Sequence, residues 1–415
     1  MKMALTRALG TAALLTTWST QALAAEQTTL NVLYSNGYVL KPVMEQIAHD
    51  FEAAHPDAKI VYSDVRNYDD MAELTLRAAI TGDMPDVAFQ GTSFIPLFAN
   101  RDLVVPIDGF IKAEPSWGSL GYYSSMTSIT SAGGKTYGIP FAIAVPVIYY
   151  NASLVKAAAG DPDHLPDTWA EIVDLAKRIN APSVGIYFDY GTTANWTFVS
   201  MIQAQGGQMM KDGKIAFDGD EGMNALKVLE SIGKAGMVDM ARDQAKQAFA
   251  SGTLGIFVTS SSDIQKYERE ADGKFDIKVM PFPMPNPHGM VPAGGNAVVM
   301  HTKDPAEQAI AWEFIKFATG PTAQTEMVKE ASYLPSNRIA VESDKHLKGY
   351  YKDHPNLQVP VQLLPNVGPF FSFPGENSVK ITKVIRDQLQ AVLTLKRKPE
   401  DAMKQMSESV MVLLP

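Results

Sequence analysis

The sequence predicts an α/β protein of two lobes with parallel-rich sheets, joined by a multi-strand hinge. Three observations carry that expectation. Residues 28–89 alternate strand and helix patterns in the order β-α-β-α-β with short links, the pattern of a mostly parallel sheet covered on both faces. A second helix-and-strand unit follows residue 151. Extended, proline-marked stretches at 134–151 and 281–293 suit crossings between two bodies.

Taken in order, Thr28 to Tyr34 is a β-rich opening strand, and Leu40 to His55 has helical spacing, with Val43, Ile47, Phe51 and Ala54 on one face. Lys59 to Val65 alternates as a strand. Asn67-Tyr68-Asp69-Asp70 starts a second helix, its acids at the positive end, and Gly82 stops it. Pro85 to Phe89 is a third strand. Then comes GKTYGIPFAIAVPVIYYN, residues 134–151: a glycine turn, Pro140, and an apolar run broken once by Pro146. Read on its own, that run fits a crossing between lobes and an ordinary buried strand with an edge proline equally well. Beyond it, Asp167 or Thr168 caps a helix holding Trp169, Ile172, Val173, Ala176 and Ile179. A strand at 183–189 and helices at 194–205, 220–233 and 244–250 lead to a strand at 253–260. A strand at 278–282 leads into the prolines at 281–287, and another runs from Ala297 to His301. Helices are expected at 306–319, 322–330, 379–396 and 399–414, with 341–376 irregular. The lobes implied are 25–140 plus 293–345, and 141–292 plus 346–415.

Residues 1–24 read as a secretory signal: Lys2 and Arg7, an apolar core from Ala8 to Trp18, and the cleavage site Ala22-Leu23-Ala24. That core is too short to span a bilayer. There is no cysteine among the 415 residues, so none to carry a lipid, and a free periplasmic protein is expected. Without Lys2 and Arg7 the formal charge goes from −9 to −11, 34 basic groups against 45 acidic. Such a balance argues against nucleic acid or an anionic membrane as partner.

The chain also resembles a family. The pieces are Thr81-Gly82-Asp83-Met84-Pro85-Asp86-Val87, the stretch 134–151, Thr168 to Ile172, Phe249 to Gly252, Met280-Pro281-Phe282-Pro283, Gly294-Gly295, Ala311 to Phe317 followed by Tyr333-Leu334-Pro335, and Pro399 to Ala402. Together, in this order, they resemble the extracellular solute-binding proteins of carbohydrate ABC importers, and within them the branch that binds sn-glycerol-3-phosphate. The resemblance implies a periplasmic-binding-protein-like fold of the maltose-binding type. It also implies a small-molecule carbohydrate or polyol as ligand, permease subunits of an ABC transporter in the inner membrane as partners, no cofactor and a monomer.

By the same resemblance, Tyr68 and Gln90 of the first lobe, Ser260 and Ser261 of the second, and Gly294, Gly295 and Tyr333 match ligand-contacting positions of the branch. Each has a plainer reading: Tyr68 as surface, Ser260-Ser261 as a helix cap, Gly295 as a turn. Trp196 is either core or a stacking face for a sugar. Gln90 stands where the branch carries glutamate. Ala144 stands in a stretch where it carries serines, and Phe373 near its arginine. Phosphate recognition favours arginine forks or helix-end N–H groups, so the loss of that arginine points to a neutral carbohydrate.

Other classes are weaker. No H-E-x-x-H or G-x-S-x-G occurs, which removes the usual signatures of a metalloprotease or serine hydrolase. A secreted glycosidase needs two positioned carboxylates, which sequence alone neither gives nor excludes. Paired tyrosines at 122–123, 149–150 and 350–351 raise a ferric-ion binder as a rival, since hard iron prefers oxygen ligands.

Overall fold

The computed structural model describes residues 27–179 and 181–415; the export signal read at 1–24 lies outside them. Two sheets organise the chain. The first contains β1 (Thr28–Ser35), β2 (Ala58–Val65), β3 (Val87–Gly91), β4 (Gly138–Ala144) and β9 (Gly294–Met300), in the order β2-β1-β3-β9-β4. The second contains β5 (Pro146–Asn151), β6 (Val184–Phe188), β7 (Leu254–Ser260) and β8 (Ile277–Pro281), in the order β8-β5-β7-β6.

Parallel pairing holds where a helix links successive strands. β1 pairs in parallel with β2 and β3, across α1 (Gly37–Ala54) and α2 (Tyr68–Thr81). β6 and β7 are parallel too. The strands that arrive by crossing run the other way: β9 is antiparallel to β3 and β4, and β5 to β7 and β8. The second sheet is therefore mixed rather than parallel-rich, because β5 enters from the first lobe instead of from a helical crossover.

The stretch 134–151 is both a crossing and buried strand. β4 and β5 are buried along their whole lengths, and Val145 alone separates them. The two prolines fit their places. Pro140 lies on β4, an edge strand, and Pro146 is the first residue of β5, positions where a missing N–H is tolerated. Residues 142–144 stay paired with β9 in the first sheet, beyond the division expected after residue 140. A second crossing runs through Val291–Pro292, which pairs with Val367–Gly368 before β9 begins.

α8 (Pro305–Ala318) and α9 (Pro321–Ala331) pack with α1 on the first lobe. On the second, α5 (Asp220–Lys234) packs with α10 (Ser378–Leu393) and α11 (Pro399–Leu413). α3 (Trp169–Arg178) and α4 (Trp196–Ala204) complete that lobe's cover, with α6 (Arg242–Ala250) and α7 (Ile264–Ala271) at the end of β7. Residues 341–376 are more ordered than expected. They hold short helices at Leu347–Asp353 and Pro355–Gln358, where the Asn356 side chain accepts from Val279 N at 3.1 Å and donates to Ile277 O at 3.0 Å.

Candidate functional site

A cavity of about 320 Å³ opens between the lobes, lined from both sides. The first lobe contributes the loops leaving its three parallel strands: Tyr38 after β1, Asn67, Tyr68 and Asp69 after β2, and Thr92, Ser93 and Phe94 after β3. Ligands in open α/β sheets gather beyond the carboxyl ends of the strands, where side chains project from short loops. The second lobe answers with Thr192, Thr193 and Trp196 after β6, Ser260, Ser262 and Asp263 after β7, and Arg242 and Lys246 on α6. The crossing strands supply Ala144, Gly294 and Gly295, and Tyr333 and Phe370 close the ring. A larger hollow, about 500 Å³, lies against Asn31, Ser63, Arg77 and Met84 of the first lobe alone, so lobe closure cannot act on it.

Local chemistry aims each of these side chains. Asn67 caps α2 by accepting from Asp70 N at 2.8 Å, which sets Tyr68 at the first helical position. The Tyr68 hydroxyl accepts from Asn296 Nδ2 at 3.2 Å, and Tyr333 lines the same cavity. Burial raises the pKa of both phenols, so both remain protonated at neutral pH. Ala194 and Asn195 take left-handed conformations, φ 49° and 56°, and turn the chain sharply into α4. Trp196 then donates its Nε1 to Pro292 O at 2.8 Å, and its ring lies against Gly294. Ser260 Oγ accepts from Ser262 N at 3.2 Å at the end of β7. Gly295 holds φ at +101°, and a Cβ there would stand 1.8 Å from Ala142 O, so the cleft floor admits only glycine.

Seven of the ten residues singled out by sequence line this cavity: Tyr68, Ala144, Trp196, Ser260, Gly294, Gly295 and Tyr333. Three do not. Gln90 is fully buried and donates its Nε2 to Thr75 Oγ1 at 2.8 Å, because its side chain points from β3 toward α2. Ser261 is fully buried behind Ser260: its Oγ accepts from Val145 N at 3.1 Å and its N donates to Val145 O at 2.9 Å. Phe373 packs edge-on against Phe217 and Phe371, and Phe370, three residues earlier, faces the cleft. The reading of Phe373 as a substitute for a phosphate-binding arginine therefore has no geometric basis here.

The structure adds two cations that sequence reasoning missed. Arg242 and Lys246 sit one helical turn apart on α6. Arg242 Nε bonds Asp189 Oδ2 at 2.7 Å, and Lys246 Nζ bonds Asp263 Oδ2 at 2.8 Å. Asp189 is fully buried and also accepts from Thr259 Oγ1 at 2.8 Å. A signal was available: Asp189 and Asp263 follow β6 and β7, neighbouring parallel strands, and the i, i+4 spacing of Arg242 and Lys246 puts both on one face. The tyrosine pairs lie elsewhere. Tyr149 and Tyr150 are both core, donating to Ser260 O and Pro166 O, and neither 122–123 nor 350–351 lines the cleft.

Comparison with known proteins agrees with this architecture. The family model for bacterial extracellular solute-binding proteins matches residues 46–359. The sn-glycerol-3-phosphate-binding periplasmic protein UgpB of Escherichia coli K12 is 23% identical over 402 residues, 91% of this chain and 90% of that protein. The cyclic α-maltosyl-1,6-maltose binding protein of Arthrobacter globiformis superposes with a TM-score of 0.78 at 21% identity, over 93% of this chain and 99% of that one. UgpB of Mycobacterium tuberculosis, solved with glycerophosphocholine, gives a TM-score of 0.77 at 20% identity, over 92% and 97%.

Proposed function

From a chain that belongs to the bacterial extracellular solute-binding proteins, we infer a periplasmic receptor that captures a carbohydrate or polyol between its lobes and delivers it to an ABC importer's permease. The observation that carries this reading is the cleft's lining. Tyr38, Tyr68, Phe94, Trp196, Tyr333 and Phe370 offer aromatic faces, and Thr92, Ser93, Thr192, Thr193, Ser260 and Ser262 offer hydroxyls, drawn from both lobes. Flat rings suit the C–H faces of a sugar, and interleaved hydroxyls suit its edges. A ligand that touches both lobes holds them together, since it has more contacts in the closed form than in the open one. Closure then presents both lobes at once to the membrane partner.

Capture is favoured over catalysis. Of the two carboxylates lining the cavity, Asp263 is tied to Lys246 and only Asp69 is left without a cationic partner, whereas glycoside hydrolysis takes two working carboxylates. The ferric reading loses the tyrosine pairs that raised it, since Tyr149 and Tyr150 are core and neither 122–123 nor 350–351 lines the cleft. No helix among the described residues is long and apolar enough to cross a membrane. A periplasmic protein without a lipid anchor is part of this reading, supported by a sequence that holds no cysteine to acylate.

A melting-temperature screen of the purified protein tests the reading, with neutral mono- and disaccharides, polyols, glycerol-3-phosphate, and ferric and zinc ions. A ligand at about 100 times its dissociation constant adds roughly 2.7 kcal/mol of stability. The expected result is a shift with a neutral sugar or polyol. A shift with metal alone would overturn the reading.

A further inference from the structure

We propose that the two cations of the cleft are masked one for one by carboxylates, so that the site accepts a neutral, polyhydroxylated ligand and turns phosphorylated ones away. The proposal rests on the cleft being the ligand site and sharpens what that site selects.

Arg242 and Lys246 both line the cavity, and each is already engaged, Arg242 through Nε with Asp189 and Lys246 with Asp263. Asp189 cannot swing away to release Arg242. It is fully buried and is held at the same oxygen by Thr259 Oγ1. Asp263 shares the cavity wall with Lys246, and Asp69 faces it from the first lobe. Two cations thus meet two carboxylates on the lining and a third behind it, so the cavity carries no surplus positive charge. A phosphate entering it has either to displace a carboxylate from its cation or to sit among anions of its own sign. A vicinal diol does neither. The terminal nitrogens of Arg242 and the remaining protons of Lys246 donate to hydroxyl oxygens, while Asp263 and Asp69 accept from hydroxyl hydrogens. The ion pairs thereby become orienting groups for a neutral ligand, fixed in place by their partners before it arrives.

Asp263→Asn tests this, because it removes one masking charge and keeps the side chain's shape. Binding of maltose, the neutral sugars and polyols of the melting screen, glycerol-3-phosphate and glycerophosphocholine is measured by calorimetry on the wild type, Asp263→Asn and Lys246→Met. The wild type is expected to bind glycerol-3-phosphate at least tenfold more weakly than the best neutral sugar of the melting screen. Asp263→Asn is expected to gain at least tenfold for glycerol-3-phosphate, in a salt-sensitive manner. Lys246→Met leaves Asp263 bare and is expected to gain nothing for either phosphate. If Asp263→Asn lacks a cooperative melt, the wild-type ratio and Lys246→Met still decide. Wild-type protein that prefers either phosphate to every neutral sugar overturns the proposal, as does a folded Asp263→Asn with no gain. A wild type that takes neither class, with the gain still present in Asp263→Asn, would retire the carbohydrate reading and keep the masking.

Discussion

His301 ends the first sheet's central return, just past β9, with its imidazole buried, Nδ1 against Leu103 O and Nε2 without a partner. Burial disfavours the charged ring and holds its pKa down to about 4 from the ordinary 6.5. The unfolded chain then binds the extra proton first as pH falls. The stability this neutral ring contributes is therefore whole above about pH 6.5 and is lost progressively between there and pH 4, by up to about 1.4 kcal/mol per pH unit. Urea unfolding at pH 7 and pH 5 should show that loss in the wild type and a flatter dependence in His301→Gln; equal slopes would show that another group titrates. The same scale explains which site residues were legible. A resemblance marks positions along a chain, but neighbouring residues point different ways, within a strand and where Ser260 ends β7 and Ser261 opens a 3-10 turn. Ser260 and Ser261 were therefore indistinguishable in sequence, and only one of them meets the cleft. Gln90 failed in the same way, its amide turned to Thr75.

At the scale of elements, the crossing from β4 to β5 depends on Ser261 more than on the prolines that advertise it. Val145, the one residue between the sheets, gives both its backbone groups to Ser261. Ser261→Ala would leave a buried N–H unsatisfied, at a cost of about 1–3 kcal/mol. The expected outcome is a lower melting temperature together with weaker ligand binding, because the hinge loses its fixed register while the cleft lining keeps every side chain. Unchanged affinity in a destabilised protein would make Ser261 a purely local support. The helices and strands around this hinge were legible where periodicity and caps agree, as in α2 between Asn67 and Gly82 and in α3 after Thr168. α7 was not found, although Ile264, Tyr267 and Ala271 mark its buried face. Its eight residues follow a run of serines that hides the start, and its remaining positions are charged apart from Gln265. The antiparallel entry of β5 was equally hidden, since strand direction follows from where the chain comes from, not from local pattern.

Across the molecule the lobes also meet outside the cleft, and Gln265, which carries no signature in sequence, makes one such contact. It projects from α7 of the second lobe to the end of α9 in the first. Its Nε2 donates to Lys329 O at 3.1 Å, its Oε1 accepts from Ser332 Oγ at 2.9 Å, and its own N donates to that same Oγ at 3.3 Å; within its own lobe Nε2 also donates to Tyr350 OH at 2.8 Å. Ser332 sits at the left-handed end of α9, φ 57°, one residue before Tyr333 of the cleft. The latch and the ligand wall therefore move as one piece. When the lobes part, these groups exchange each other for water, so each bond contributes only about 0.5–1.5 kcal/mol to the joined form. The two that the Gln265 side chain makes to the first lobe together bias the equilibrium by about 1–3 kcal/mol, enough to change the ratio of closed to open protein about fivefold or more. Gln265→Ala touches no residue that lines the cleft, yet ligand affinity should fall by at least about fivefold, because binding must then supply the closure that the latch supplied. Small-angle scattering should show the ligand-free variant more extended than the wild type, and the two should converge once saturated with ligand. An affinity equal to the wild type's would mean that the cleft contacts alone hold the lobes together.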